Sequence, residues 1–102
     1  MERFVFRETP VKAALADILR VHDFLYVDGI KKACDGLKAS RKLGVYKYDT
    51  DTVINHHTFN SSLYAVGCII DAVDQVMMGN YNNALCLVRP PGHHAGYFGK
   101  VE

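Results

Sequence analysis

The sequence predicts an α/β fold in which a long amphipathic helix packs on a parallel sheet, and three features of its 102 residues carry that reading. Phe59, Leu63, Val66, Ile70, Val73 and Met77 recur at alternating steps of four and three, the spacing of one helical face. Ala65, Ile69 and Val76 widen that face, and no Lys or Arg occurs from 53 to 88, so the helix is expected to be covered on more than one side. Beyond Gly79-Asn80, a helix stop, the run Ala84-Leu85-Cys86-Leu87-Val88 is short and continuously apolar and closes on Arg89-Pro90-Pro91-Gly92. Such a run marks a strand of a parallel sheet, buried on both faces.

Two earlier helices are expected. Thr9 before Pro10 suits a helix start, since Pro fits the first helical position and Thr can cap it; Val11, Ala14, Leu15, Ile18 and Leu19 then share one face. A second pattern follows Asp23, with Tyr26, Val27, Ile30, Ala33, Cys34 and Leu37 on one face and Lys31, Lys32, Asp35 and Lys38 turned away, weakened by Gly29 and Gly36. One buried strand cannot make a sheet, because it needs neighbours at both edges and a layer on each face. The expected fold is therefore incomplete.

Composition narrows the functions. Twelve basic against eleven acidic side chains give a net charge of +1 with no Lys/Arg cluster, so no nucleic-acid partner is expected. The longest apolar stretch, Leu63 to Ile70, falls far short of the roughly 20 residues that cross a bilayer, so no membrane partner is expected either. A chain of this length forms one domain at most, burying about 60 to 65% of its unfolded surface, with room for one site. The opening MERFVFRETP lacks the pattern of a secretory signal, and Cys34, Cys68 and Cys86 stand at no ligand or disulfide spacing. A reducing compartment, nucleus or cytoplasm, is expected.

The segment Arg89-Pro90-Pro91-Gly92-His93-His94-Ala95 sets two adjacent histidines just past the expected strand's carboxyl end, where ligands bind in open α/β sheets. Two prolines and a glycine make the approach rigid, as proton transfer requires, and imidazole, with an unperturbed pKa near 6.5, can take and return a proton at neutral pH. The bland reading is a histidine pair satisfied by backbone carbonyls. His56-His57 serves as an internal control, lying in the polar stretch Asn55 to Thr58 without rigid framing, and is expected to be solvated. Zinc ligation by His93 and His94 is disfavoured, since adjacent residues seldom reach one ion and no ligand spacing accompanies them.

This segment resembles the active-site segment of zinc-dependent histone deacetylases, closest to their class II branch. The likeness continues upstream: Tyr48-Asp49-Thr50-Asp51-Thr52 is similar to the family's Asp-x-Asp-Thr loop, Ala65-Val66-Gly67 to its small-residue helix, and Arg20-Val21-His22 with Tyr26-Val27 to its early helical segment. The resemblance covers about Leu19 to Ala95. It implies a partial three-layer α/β/α arginase/deacetylase-like fold with a parallel sheet, incomplete at both ends, with residues 1–102 forming the N-terminal portion of the catalytic domain. By similarity His94 is the general base, His93 its electrostatic partner and Asp49 the rim carboxylate that accepts hydrogen bonds from the substrate backbone; Asp49 read without the family is a turn-forming residue. Asp51 and Thr52 are left as structural, and His22 matches a structural position with no catalytic role.

The family's zinc ligands, an Asp-x-His pair and a later Asp, are expected downstream of Glu102, as is its Gly-Phe-Cys element; Gly96-Tyr97-Phe98 stands too close to His94 to be that element. Zinc thus belongs to the complete domain, with no ligands in this chain. The implied partners are acetylated histone tails or other acetyl-lysine proteins, with corepressor proteins. Two alternatives stand beside a lysine deacetylase fragment: a non-catalytic remnant serving as a binding or regulatory segment, and an acetylpolyamine amidohydrolase, since related amidohydrolases share the histidine segment.

Overall fold

A computed structural model describes residues 4–8, 11–49 and 52–99. Helix α1 spans Leu15–Leu19, α2 Phe24–Ala39 and α3 Thr58–Met77; strands β1 (Tyr46–Lys47) and β2 (Val53–Ile54) lie between α2 and α3. None of these helices is long and apolar enough to cross a membrane.

Local chemistry sets the ends of α2 and α3. Asp23 caps α2, its carboxylate accepting the Leu25 N–H at 3.0 Å, a contact of a kind that contributes about 1 kcal/mol. The helix ends with Arg41 in the left-handed region at φ 57°, while the Arg41 and Lys42 amides return to the carbonyls of Lys38 and Leu37. The same closure ends α3, where Gly79 takes φ 83° and the Gly79 and Asn80 amides reach Val76 and Gln75. The periodicity thus located α3 at both ends, and Gly79-Asn80 terminates it as expected.

The first helix begins later than its sequence suggests. Thr9 and Pro10 lie outside the described residues, and 11–14 are not helical. Instead the Ala13 amide donates to the Leu63 carbonyl of α3 at 2.9 Å. The crossing is possible because α3 carries Gly67 there: a Cβ on Gly67 would stand 1.8 Å from the Val11 carbonyl oxygen. This long-range contact outweighs the helical pattern of residues 11–14. Ala13, Val27, Cys34, Ile54 and Ala65 form a small core among the helices and β2.

The expected parallel sheet is not seen among the described residues. Strands β1 and β2 pair antiparallel, Tyr46 opposite Ile54 and Lys47 opposite Val53, and no parallel ladder forms among the described residues. The segment 84–88 pairs with no strand among the described residues. One side of it lies on α3: Cys86 and Val88 are half-buried, and burial, with Cys68 of α3 alongside, pushes the Cys86 thiol upward. Leu85 and Leu87 on the other side are each 85% exposed. The reason is the one the pattern itself carries: a strand needs partners at its edges, and none of the described segments supplies one. The C-terminal half of α3 is likewise open instead of covered on several sides, with Val73 and Met77 exposed. The chain presents 7836 Å² to solvent, against about 5,800 Å² for a compact monomer of this mass.

Candidate active site

The histidine pair sits at the tip of a tight turn. Gly92 adopts the left-handed region at φ 74°, and the Ala95 amide donates to the Gly92 carbonyl at 2.9 Å, so His93 and His94 occupy the two central positions. Arg89-Pro90, upstream, is a cis peptide. The two imidazoles meet edge to face, with centroids 4.5 Å apart and planes at 64°, and both residues are exposed. Two rings held in contact at the centre of one turn can pass a proton to or from a group presented at its tip.

The chain just beyond the pair is tied to the start of α2. His22, in the turn between α1 and α2, has its Nδ1 2.7 Å from the Gly96 carbonyl oxygen. A carbonyl only accepts, so Nδ1 carries the proton. The next residue, Asp23, donates its backbone amide to the Tyr97 carbonyl at 2.8 Å, and Gly96 and Gly99 exchange backbone bonds that close the loop on itself. The Tyr26 ring stands edge-on to His22 at 5.4 Å and lies over Gly99, where the backbone φ of 138° favours glycine. Burial, and then Tyr48, raise the Tyr26 hydroxyl above its ordinary pKa.

Asp49 lies in the turn joining β1 and β2, its Oδ1 accepting the Thr52 amide at 3.0 Å, which is the turn-forming role open to an aspartate. Thr50 and Asp51 fall outside the described residues. The neighbouring Tyr48 hydroxyl approaches Gly29 of α2, and Tyr48 is also the tyrosine that acts on Tyr26. The first turns of α2 therefore support both loops: Tyr26 steadies the chain after His94, and Gly29 and Tyr26 receive the tyrosine next to Asp49. His93 and His94 are brought into direct contact, while Asp49 is seen in its own turn, with its neighbour Tyr48 against α2. His22 matches a structural position in the sequence, and the signal for its contact is spatial, since Gly96 lies 74 residues away.

The control pair differs from its expectation in one respect. His57 is exposed, directly before α3, but His56 is half-buried, its Nδ1 without a hydrogen-bond partner among the described residues and its ring centroid 3.8 Å from that of His57. Burial first, then His57 and Lys38, hold His56 below the ordinary imidazole pKa. Since the folded value is the lower one, the unfolded chain binds the extra proton, and the contribution of His56 to stability is lost as pH falls through the ordinary value of 6.5. Melting temperature is expected to fall between pH 8 and pH 5.5, about the span of imidazole titration, more in the wild type than in His56→Gln. Equal slopes in the two proteins would refute the assignment. His56 also lines a cavity of about 340 Å³ with Lys12, Lys31, Asp35 and Asn60, away from the His93–His94 turn.

Among the described residues no group of three or more His, Cys, Asp or Glu side chains could hold a metal ion. By themselves these residues do not fit a zinc site.

Comparison with known proteins gives consistent matches. A family model described as the histone deacetylase domain matches residues 2–99. A probable deacetylase of Archaeoglobus fulgidus is 37% identical over 94 residues, covering 92% of this chain and 24% of that protein. A second relative, the chloroplastic histone deacetylase 14 of Arabidopsis thaliana, is 36% identical over 88 residues, covering 81% of this chain and 21% of its own length. The crystal structure of the HDA15 HD domain superposes with a TM-score of 0.75 over 93% of this chain and 25% of that one, at 24% identity, a likeness of fold. This chain spans about a quarter of the length of these proteins.

Proposed function

This chain belongs to the histone deacetylase family, and from that premise we propose that residues 1–102 are part of the catalytic domain of a lysine deacetylase and contain its proton-transfer segment. The supporting observation is the turn that holds His93 and His94 in edge-to-face contact, with its downstream end tied to α2. Hydrolysis of an N-acetyl-lysine amide needs one proton removed from the attacking water and one delivered to the leaving amine. In the proposal His94 does both in sequence, and His93, at ring contact, favours the charge state each step requires. Asp49 accepts hydrogen bonds from the backbone on either side of the acetyl-lysine. Zinc is the family's metal and would polarise the acetyl carbonyl. Among the described residues no group of three or more His, Cys, Asp or Glu is assembled to hold it.

The substrate class is an acetylated histone tail or another acetyl-lysine protein, met in nucleus or cytoplasm. The experiment measures acetate released by the full-length, metal-loaded protein from an acetyl-lysine peptide and from an acetylated polyamine. Acetate is expected from the peptide in preference. Preference for the polyamine would change the substrate class, and no release from either would mean a non-catalytic remnant. The 102-residue chain alone is expected to release none and to keep no stoichiometric zinc through dialysis.

A further inference from the structure

We propose that His22 is a positioning residue for the histidine pair, acting through its hydrogen bond to the Gly96 carbonyl; the inference rests on the activity proposed above and names the group that holds that site in place.

His93 and His94 are exposed, and the Ala95 to Gly92 bond closes only the turn itself, without tying it to the rest of the fold. Attachment downstream comes from two consecutive residues, His22 through Nδ1 and Asp23 through its amide, which hold the consecutive carbonyls of Gly96 and Tyr97 at 2.7 and 2.8 Å. Gly96 is the second residue after His94. The holding residues are themselves fixed, because Asp23 caps α2 and the Tyr26 ring, one turn on, backs His22 at 5.4 Å. A helix end thus transmits its position through one side-chain bond to the place where the pair leaves its turn.

The side-chain chemistry suits the task. Only a donor can bond the Gly96 carbonyl, and imidazole offers one on a short side chain with two rotatable bonds. The neutral Nδ1–H tautomer is sufficient, so the bond needs no charge. Proton transfer is sensitive to placement, a displacement of about 1 Å costing on the order of 10²-fold in rate. His22 therefore acts on the catalytic step without touching the substrate.

The test uses the full-length, metal-loaded protein with an acetyl-lysine peptide. His22→Ala is expected to lower kcat roughly 10- to 100-fold, with KM changed less than about twofold and metal content unaltered. His22→Asn carries an amide nitrogen the same number of bonds from Cβ as Nδ1 and should recover most of the loss, whereas His22→Gln, one bond longer, should not. A second readout does not use activity: amide hydrogen exchange over residues 93–99 should accelerate in His22→Ala and His22→Gln and return toward the wild-type rate in His22→Asn. Unchanged kcat in His22→Ala, equal loss in the Asn and Gln variants, or exchange indifferent to all three substitutions overturns the positioning role. A protein that hydrolyses neither substrate but shows the exchange pattern refutes the deacetylase reading and supports the hold of His22 on the loop.

Discussion

Replacing His94 by alanine in the full-length, metal-loaded protein is expected to slow the chemical step about 10²- to 10⁴-fold, the usual worth of a positioned general base, with bound metal unchanged. His93→Ala should be milder, because a ring that tunes charge at 4.5 Å is less indispensable than the one that moves the proton. Asp49→Ala should act chiefly on KM, with a smaller structural component, since its Oδ1 also holds the Thr52 amide and so shapes the turn it stands on. His57→Ala should leave activity near wild type, because His57 is an exposed residue at the start of α3, on another part of the chain. His56→Ala should do likewise while removing the acid sensitivity assigned to His56. The ordering is the prediction, read from single-turnover rates and metal content. Loss of metal in His94→Ala would make that residue a ligand, and equal sensitivity of His57 would dissolve the correspondence with the family's histidine pair.

A comparably large effect, on stability, is expected from adding one methyl group at Gly67. The new Cβ would meet the Val11 carbonyl oxygen at 1.8 Å, its carbon at 2.9 Å and the Ala13 nitrogen at 3.1 Å. All three are backbone atoms, so no side chain can swing aside, and residues 11–13 must lift from α3. That movement strains the 2.9 Å bond from Ala13 to Leu63 and opens the core at Ala13 and Ala65. Overpacking typically costs about 1–3 kcal/mol and a lost hydrogen bond roughly 1 more, against a gain near 1 from alanine's helix propensity. Gly67→Ala should therefore be destabilised by about 1–3 kcal/mol. The matched control is Gly36→Ala on α2, whose Cβ meets nothing within 4 Å and which should gain stability, by up to about 1 kcal/mol. Denaturant melts of the two variants should shift in opposite directions; a Gly67→Ala protein as stable as wild type would show that the crossing does not depend on the glycine.

What could be read from the sequence alone is what is local in the chain. The three-and-four spacing and Gly79-Asn80 located α3, and Asp23 with the apolar face beyond it located α2, because helical hydrogen bonds and caps join residues at most a few positions apart. The motif 89–95 pointed to the family that the model over residues 2–99 matches, and the turn around His93 and His94 follows from its own glycine. Other features depended on partners far along the chain. Residues 11–14 left their helical pattern because Gly67, over 50 positions on, opened a place for them on α3. The short hairpin of β1 and β2 carries no clear alternation in two-residue strands and exists through pairing. Segment 84–88 has every local mark of a buried strand and pairs with no strand among the described residues, since burial on two faces is a property of neighbours and not of composition. The bond from His22 to Gly96 joins residues 74 apart, and no spacing rule spans that distance. Only the folded arrangement of α1, α2 and the histidine loop brings a donor to that carbonyl, because tertiary contacts are set by where whole elements pack, whereas sequence patterns report only how each element meets itself.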